Sequence, residues 1–426
     1  MKSFGPVHTQ PPQRANSDMA RDFLDLSFRL ESGRTLPILT RFDGPITLSV
    51  TGRHPAIADR DLAALLDRFR REAHLDIQMA PKGSDASIRV EYLPRATMQA
   101  VVPQAACFVT PNATSWADYR ASRNTRRADW AALKRRTHLA VFIPADTSPQ
   151  DIRDCLNEEI AQAMGPVNDL YRLPDSVFND DNFNSVLTGF DMLMLRVYNS
   201  PELANGMTRA EVAARLPAIL ARLNPAGEKP GTAAPPPSPP GWKYAIEAAL
   251  GPRGTVRQRN LAARDALRIA LDNHLDDARM AFSWYVRARL ALPRETETAV
   301  TALAEADTIY ARLPSTAIHR AHIALQMAAF ALSAHQWEVA AKLSDRWLPA
   351  ARRAQNAALM SSFMMLKSRA LDGMGRAAAA KALWLDSLGW ARYGFGSDKA
   401  VRAQEAEILD LTADRAPAPP AGQGGK

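Results

Sequence analysis

Hydrophobic and polar positions alternate along Pro45-Ile46-Thr47-Leu48-Ser49-Val50 and again along Ala86-Ser87-Ile88-Arg89-Val90-Glu91-Tyr92, so half-buried strands are predicted at both places. Between them the period lengthens: Leu62, Leu65, Leu66 and Phe69 share one face of a helix over 61–73. Apolar runs around Cys107 and along Leu139-Ala140-Val141-Phe142-Ile143 read as further strands. Ser148-Pro149-Gln150-Asp151 then opens a long helix, with Ser148 as N-cap, Pro149 at the first helical position and Asp151 in the capping-box place. Up to about residue 225 the pattern is therefore α/β (α+β).

The pattern changes beyond that point. Segment 228–241 contains Pro235-Pro236-Pro237-Ser238-Pro239-Pro240, which lacks amide donors at its prolines and favours an extended spacer between independently folding units. From Trp242 the strand signal ends and Ala-rich helical segments repeat. Ala331-Leu332 through Ala341-Lys342 aligns with Ala370-Leu371 through Ala380-Lys381, a period of 39 residues (331 to 370). His335-Gln336 and Gly373 with Gly375 take equivalent turns. Helix pairs of this length, with small Ala against Leu, Met and Trp, resemble tetratricopeptide-type (TPR-like) repeats and imply an all-α solenoid. Trp284, Trp337, Trp347, Trp384 and Trp390 are expected in the core between its helices. The boundaries predicted are a disordered tether 1–17, an α/β domain 18–227, the spacer 228–241, the repeat domain 242–414 and a disordered tail 415–426.

A chain of 426 residues can bury more than one core, and 46% hydrophobic with 23% charged residues is an ordinary globular balance that needs no metal or disulfide to fold. No apolar run approaches the ~20 residues of a membrane-spanning helix. The opening Met1-Lys2-Ser3-Phe4-Gly5-Pro6-Val7-His8 has no apolar leader segment, which implies a cytoplasmic protein or one written without its leader.

The segment Glu158 to Asp169 has the layout of a zinc-peptidase helix without imidazoles. In a His-Glu-x-x-His helix two His four apart hold the ion and the intervening Glu activates water. Here those positions carry Glu158 and Gln162, with Glu159 in the base position, Gly165 at the helix end and Asn168 where a third His would return. Asp175-Ser176-Val177-Phe178 lies where a metzincin has its Met-turn, and Leu187 through Tyr198 resembles the closing helix. With Ala20-Arg21-Asp22-Phe23, Arg41 through Ile46, Ala106-Cys107-Phe108-Val109 and Pro201-Glu202-Leu203, these residues resemble DUF2927, a proteobacterial zincin-like domain of unknown function, over about 18 to 227. The resemblance implies a zincin-like fold and, from the family's habit of export, a periplasmic or cell-envelope location. It also brings Cys107 near Cys155, so that the two could pair, closing a 48-residue loop (107 to 155), or remain as buried thiols.

Carboxylates and amides at Glu158, Gln162, Asn168 and Asp169 are poor zinc ligands, and none of the eight His falls in this segment. No cofactor or metal is expected, and a polar face that hydrogen-bonds neighbouring loops is the plain reading. The expected function is non-catalytic protein or peptide binding, with the repeats as partner surface. The alternative is an atypical metallohydrolase with Glu159 as general base and zinc or another divalent ion. A second alternative is a cytoplasmic regulator binding nucleic acid through Arg120, Arg123, Arg126, Arg127, Lys134, Arg135 and Arg136, which face one acid, Asp129, in a chain of net charge +8. A solvated basic insertion, with possible anionic surface contact, weighs against that reading. The Asp/Asn run 175–184 reads as a solvated loop without the Gly and Glu of a calcium loop, and His319 with His322 as surface or packing residues.

Overall fold

The computed structural model describes residues 1–292 and 295–413, so the tail predicted at 415–426 lies outside them. Among the described residues are five strands and sixteen α-helices. The chain divides into two compact units: one comprises Phe4–Ile323 with Arg353–Gln355, the other Met1–Ser3, Ala324–Arg352 and Asn356 onward.

In the larger unit, α1 (Asn16–Ser27) precedes β1 (Ile46–Thr51), α2 (Ala56–Glu72), β2 (Ile77–Met79), β3 (Ile88–Leu93) and α3 (Arg95–Gln99). Next come β4 (Phe108–Pro111), α4 (Trp116–Ser122), β5 (Leu139–Pro144), α5 (Pro149–Met164), α6 (Gly189–Tyr198) and α7 (Arg209–Leu223). The sheet order is β2-β1-β3-β5-β4; all neighbours are parallel except β4, which runs antiparallel to β5 at one edge. Register aligns Leu48, Ile88 and Leu139 across three strands, and all three are buried. β5 is buried throughout, as its unbroken apolar run requires of a central strand.

The predicted helix start holds: the Ser148 side chain accepts from Asp151 N–H and Pro149 sits at the first turn. α5 packs on β4, β5 and α2. Its C-terminal carbonyls meet Arg136, whose guanidinium donates to Gln162, Ala163 and Gly165 oxygens and to Tyr198 Oη at 2.7–2.9 Å. α6 is fixed by Asp191, whose carboxylate accepts from Ser176 Oγ, Val177 N–H and Thr188 N–H. Phe23, Phe69, Phe178 and Phe190 are fully buried in this core, each worth ~1.5–3 kcal/mol of burial.

Residues 4–15, expected as a disordered tether, run along the larger unit: Thr9 donates to Glu72, and Arg14 pairs with Asp22 and Asp175. The expected spacer also makes contacts there, Thr232 N–H reaching Asp18 and Ser238 Oγ accepting from Arg279. Helices α8 (Trp242–Leu250), α9 (Val256–Asp272), α10 (Ala278–Ala291) and α11 (Thr296–Arg312), with α12 (Ala317–Ser333) as far as Ile323, belong to this same unit. Their joint with the α/β region is aromatic: Tyr171 meets Trp242 edge-on, and Phe183 packs on Phe282, Tyr285, His319 and His322.

The smaller unit is built from the rest of α12, α13 (Trp337–Arg353) up to Arg352, α14 (Ala357–Gly373), α15 (Ala377–Gly394) and α16 (Asp398–Asp410). α14 begins 40 residues after α12 and α15 40 after α13 (317 to 357, 337 to 377), one more than the period read from sequence. In Ala-rich helices similar letters align one position out of register. The left-handed turn residues, His335 (φ 56°) and Gly375 (φ 74°), keep the spacing of 40. Of the five tryptophans expected in the core, Trp284 lies in the larger unit; all five are half-buried, and Trp337 and Trp384 pack against the buried centre of the smaller unit. Ala328, Ala331, Ala340, Ala370 and Ala391 with Leu332, Met365 and Leu366 form the buried centre, because close helix approach favours small residues over indole.

Candidate functional site

α5 presents Glu158 and Gln162 four residues apart on one face, with Glu159 beside them. The chain after α5 returns Asp169 to this face, where Gln162 Nε2 donates to its carboxylate at 3.2 Å. Opposite runs the segment from Gln104 into β4. Together with Glu31, Trp130, Asp180 and Asn182 they enclose a cleft of ≈ 430 Å³. Cys107 and Cys155 are joined by a disulfide, which ties the start of β4 to α5.

Glu158, Glu159, Gln162 and Asp169 therefore come together as the spacing predicts. Asn168 does not line the cleft: it is buried, and its amide donates to Asp25 O at 2.9 Å. Sequence reasoning missed three participants. Glu31 and Asp180 bring carboxylate oxygens within 4.8 Å of Asp169 and of one another. Lys243, on α8, reaches Asp180 at 2.9 Å. Asp180 sits in the Asp/Asn run expected to be solvated, yet Asn179 and Asp181 there are buried and bonded, Asp181 to His319 Nε2 at 3.1 Å. No local signal marked Glu31, whose loop meets the cleft only in the folded chain.

Crowding of acids sets the electrostatics. Burial first, then Asp180, Glu31, Asp154 and Asp191, push the Glu158 carboxyl up to about 8. Burial and the Glu158 and Glu31 charges raise Glu159 well above the carboxylate range, opposed by a hydrogen bond from Val109 N–H. Asp169 is likewise raised well above it, by burial, Glu158, Glu31 and Asp180, and Glu31 is raised too, by burial and Asp180, against the pull of Lys243. Burial disfavours charge on Lys243, but Asp180, Glu31 and Glu247 outweigh it and hold the ammonium above its ordinary value.

Residues 16–218 match the family model of DUF2927, a protein of unknown function. This supports the family resemblance read from the residues. No curated protein and no solved structure gave a match. The acidic face of the cleft, Glu158 through Asp169, lies inside the DUF2927 segment, whereas Lys243 lies beyond it. The donor set does not fit zinc: it offers no imidazole or thiolate, and the Gln162 amide is engaged with Asp169.

The basic segment is dispersed. Arg127 is paired with Asp118, while Arg120, Arg123, Arg126, Lys134 and Arg135 are exposed. Arg136 drops out of the predicted basic patch for an anionic partner, because it is 2% exposed and lies beneath α5. The aromatic residues beside this segment face inward: Trp116 and Tyr119 pack on Phe108 and Phe142. Among the described residues no helix is long and apolar enough to cross a membrane.

Proposed function

We propose that this chain is a non-catalytic binding protein: a zincin-like cleft without zinc ligands that receives an extended peptide, joined to TPR-like helices that hold a partner protein. The carrying observation is the state of the would-be catalytic face. Gln162 is bonded to Asp169, and Glu159, buried and favoured in its neutral form, accepts from Val109 N–H on the edge strand. Glu159 in that state retains a strand and is a poor general base. The antiparallel edge strand β4 beside α5 supports the zincin-like reading. It also supplies the kind of edge to which a peptide adds by main-chain hydrogen bonds. A peptide pairing there takes over the donor that Glu159 now occupies. The disulfide supports an oxidising compartment such as the cell envelope.

The test is elemental analysis of protein purified without chelator or metal resin, together with peptide-cleavage profiling of the native chain and Glu159→Gln. Metal well below one atom per chain and no cleavage are expected. Near-stoichiometric zinc, manganese or iron, or turnover abolished by Glu159→Gln, sinks the reading in favour of a metallohydrolase.

A further inference from the structure

Helices α14, α15 and α16 of the smaller unit enclose a groove of ≈ 680 Å³. Its small residues, Ala377, Ala380 and Ala406, leave the space; its apolar walls are Trp384, Leu385 and Leu409. Leu385 is 59% and Leu409 44% exposed, unusual for leucines lining a concave surface. On α15 the positions 377, 381 and 385 follow one another at i, i+4, so this wall runs for about two helical turns, ~12 Å. That length suits a segment of polypeptide.

Charge decides what kind of segment. Asp372 is paired with Arg369 at 2.8 Å, while Glu405 accepts from the neutral Trp384 Nε1 at 3.2 Å and keeps its charge, so the three cations of the lining, Arg369, Lys381 and Arg402, exceed its two acids by one. Arg369 is held a second time by Thr412. Lys381 and Arg402 line the groove, are exposed, and have no acidic partner among the described residues. Two unpaired cations thus stand beside two wet leucines. A basic peptide would meet repulsion there, and a polyanion such as nucleic acid would leave the leucines uncovered.

We propose that this groove binds an amphipathic acidic segment of a partner protein, its apolar side chains against Leu385, Trp384 and Leu409 and its carboxylates on Lys381 and Arg402. The proposal rests on reading the helical repeats as a partner-holding scaffold and names the partner's chemistry.

The test uses the full chain and a fluorescein-labelled 16-residue peptide with Leu at every third or fourth position and Glu between, followed by anisotropy at nanomolar probe. A matched peptide with Lys for Glu is the control. Saturable binding of the Glu peptide is expected, weakened at least tenfold by Lys381→Glu/Arg402→Glu and also weakened by Leu385→Ala and by added salt. The Lys peptide should bind only the charge-reversed chain. These three positions are solvent-exposed, and circular dichroism checks that the variants fold. The proposal is overturned by absence of saturable binding, or by equal binding to native and charge-reversed chains. It is also overturned by binding that needs removal of 414–426, which makes the chain's own tail the occupant, or by self-association lost in the double variant, which makes it a second copy. Zinc or peptidase activity in the cleft leaves this result standing. A partner bound elsewhere on the helices sinks this proposal while the scaffold reading survives.

Discussion

Arg136 lies under the end of α5 with four acceptors and no carboxylate, and burial lowers its pKa, opposed only in part by Tyr198. Its worth is in the carbonyls it satisfies at the negative end of that helix. Arg136→Met should cost about 3 kcal/mol or more, since several buried acceptors lose their donor at once; a urea-unfolding midpoint close to native contradicts this. Glu158 makes a prediction of opposite character. Its carboxyl binds a proton more tightly in the folded chain, at about 8 against an ordinary 4.5. The stability it contributes is therefore complete below about pH 4.5 and is lost as pH rises through about 8. Asp154, pushed up to about 7 chiefly by burial, acts in the same direction. Glu158→Gln should flatten the decline of unfolding free energy between those pH values, and an unchanged slope counts against the crowded-acid description. Of these residues, Glu158 was legible through its helical spacing. Arg136 was legible only as one charge in a run, because nothing local records that the chain before β5 passes beneath α5.

The elements with regular periodicity were read nearly in place: β1, β3, β5 and α2 fall on the predicted segments, and α5 on its cap. β2 escaped, because three residues, Ile77–Met79, carry too little alternation to register. β4 is short as well, and Cys107 lies just before it. The disulfide holds this edge strand to α5. Replacing both cysteines by serine should lower stability by ~3–4 kcal/mol for a loop of this length, with faster amide exchange in β4 than in β5. Loss of stability without a local change at β4 would place the effect in the unfolded chain alone. The repeat helices show the reverse difficulty. Their existence was plain from Ala and Leu spacing, but their register was not, since Ala-rich faces offer few distinctive letters.

At the scale of the molecule, the boundary suggested by prolines and the pattern of contact differ for a physical reason. Tyr171 and Phe183, on the loops between α5 and α6, are 7% and 3% exposed because α8, α10 and α12 cover them. A fragment ending at residue 227 would return both rings to water. It is expected to melt at least several degrees below the full chain and to bind a hydrophobic dye. An unchanged melting temperature for that fragment would show that the cover contributes nothing. Composition marks where a chain can extend; it does not record which aromatic faces later meet. The Lys243 bridge carries this point into heredity. The ammonium that balances Asp180 comes from a helix outside the matched segment, so a gene fusion or domain shuffle that kept residues 16–218 and exchanged the C-terminal remainder would transmit the acids and drop the counter-ion. The charge of this cleft is thus a property of the whole chain, and any exchange of its C-terminal part would retune it.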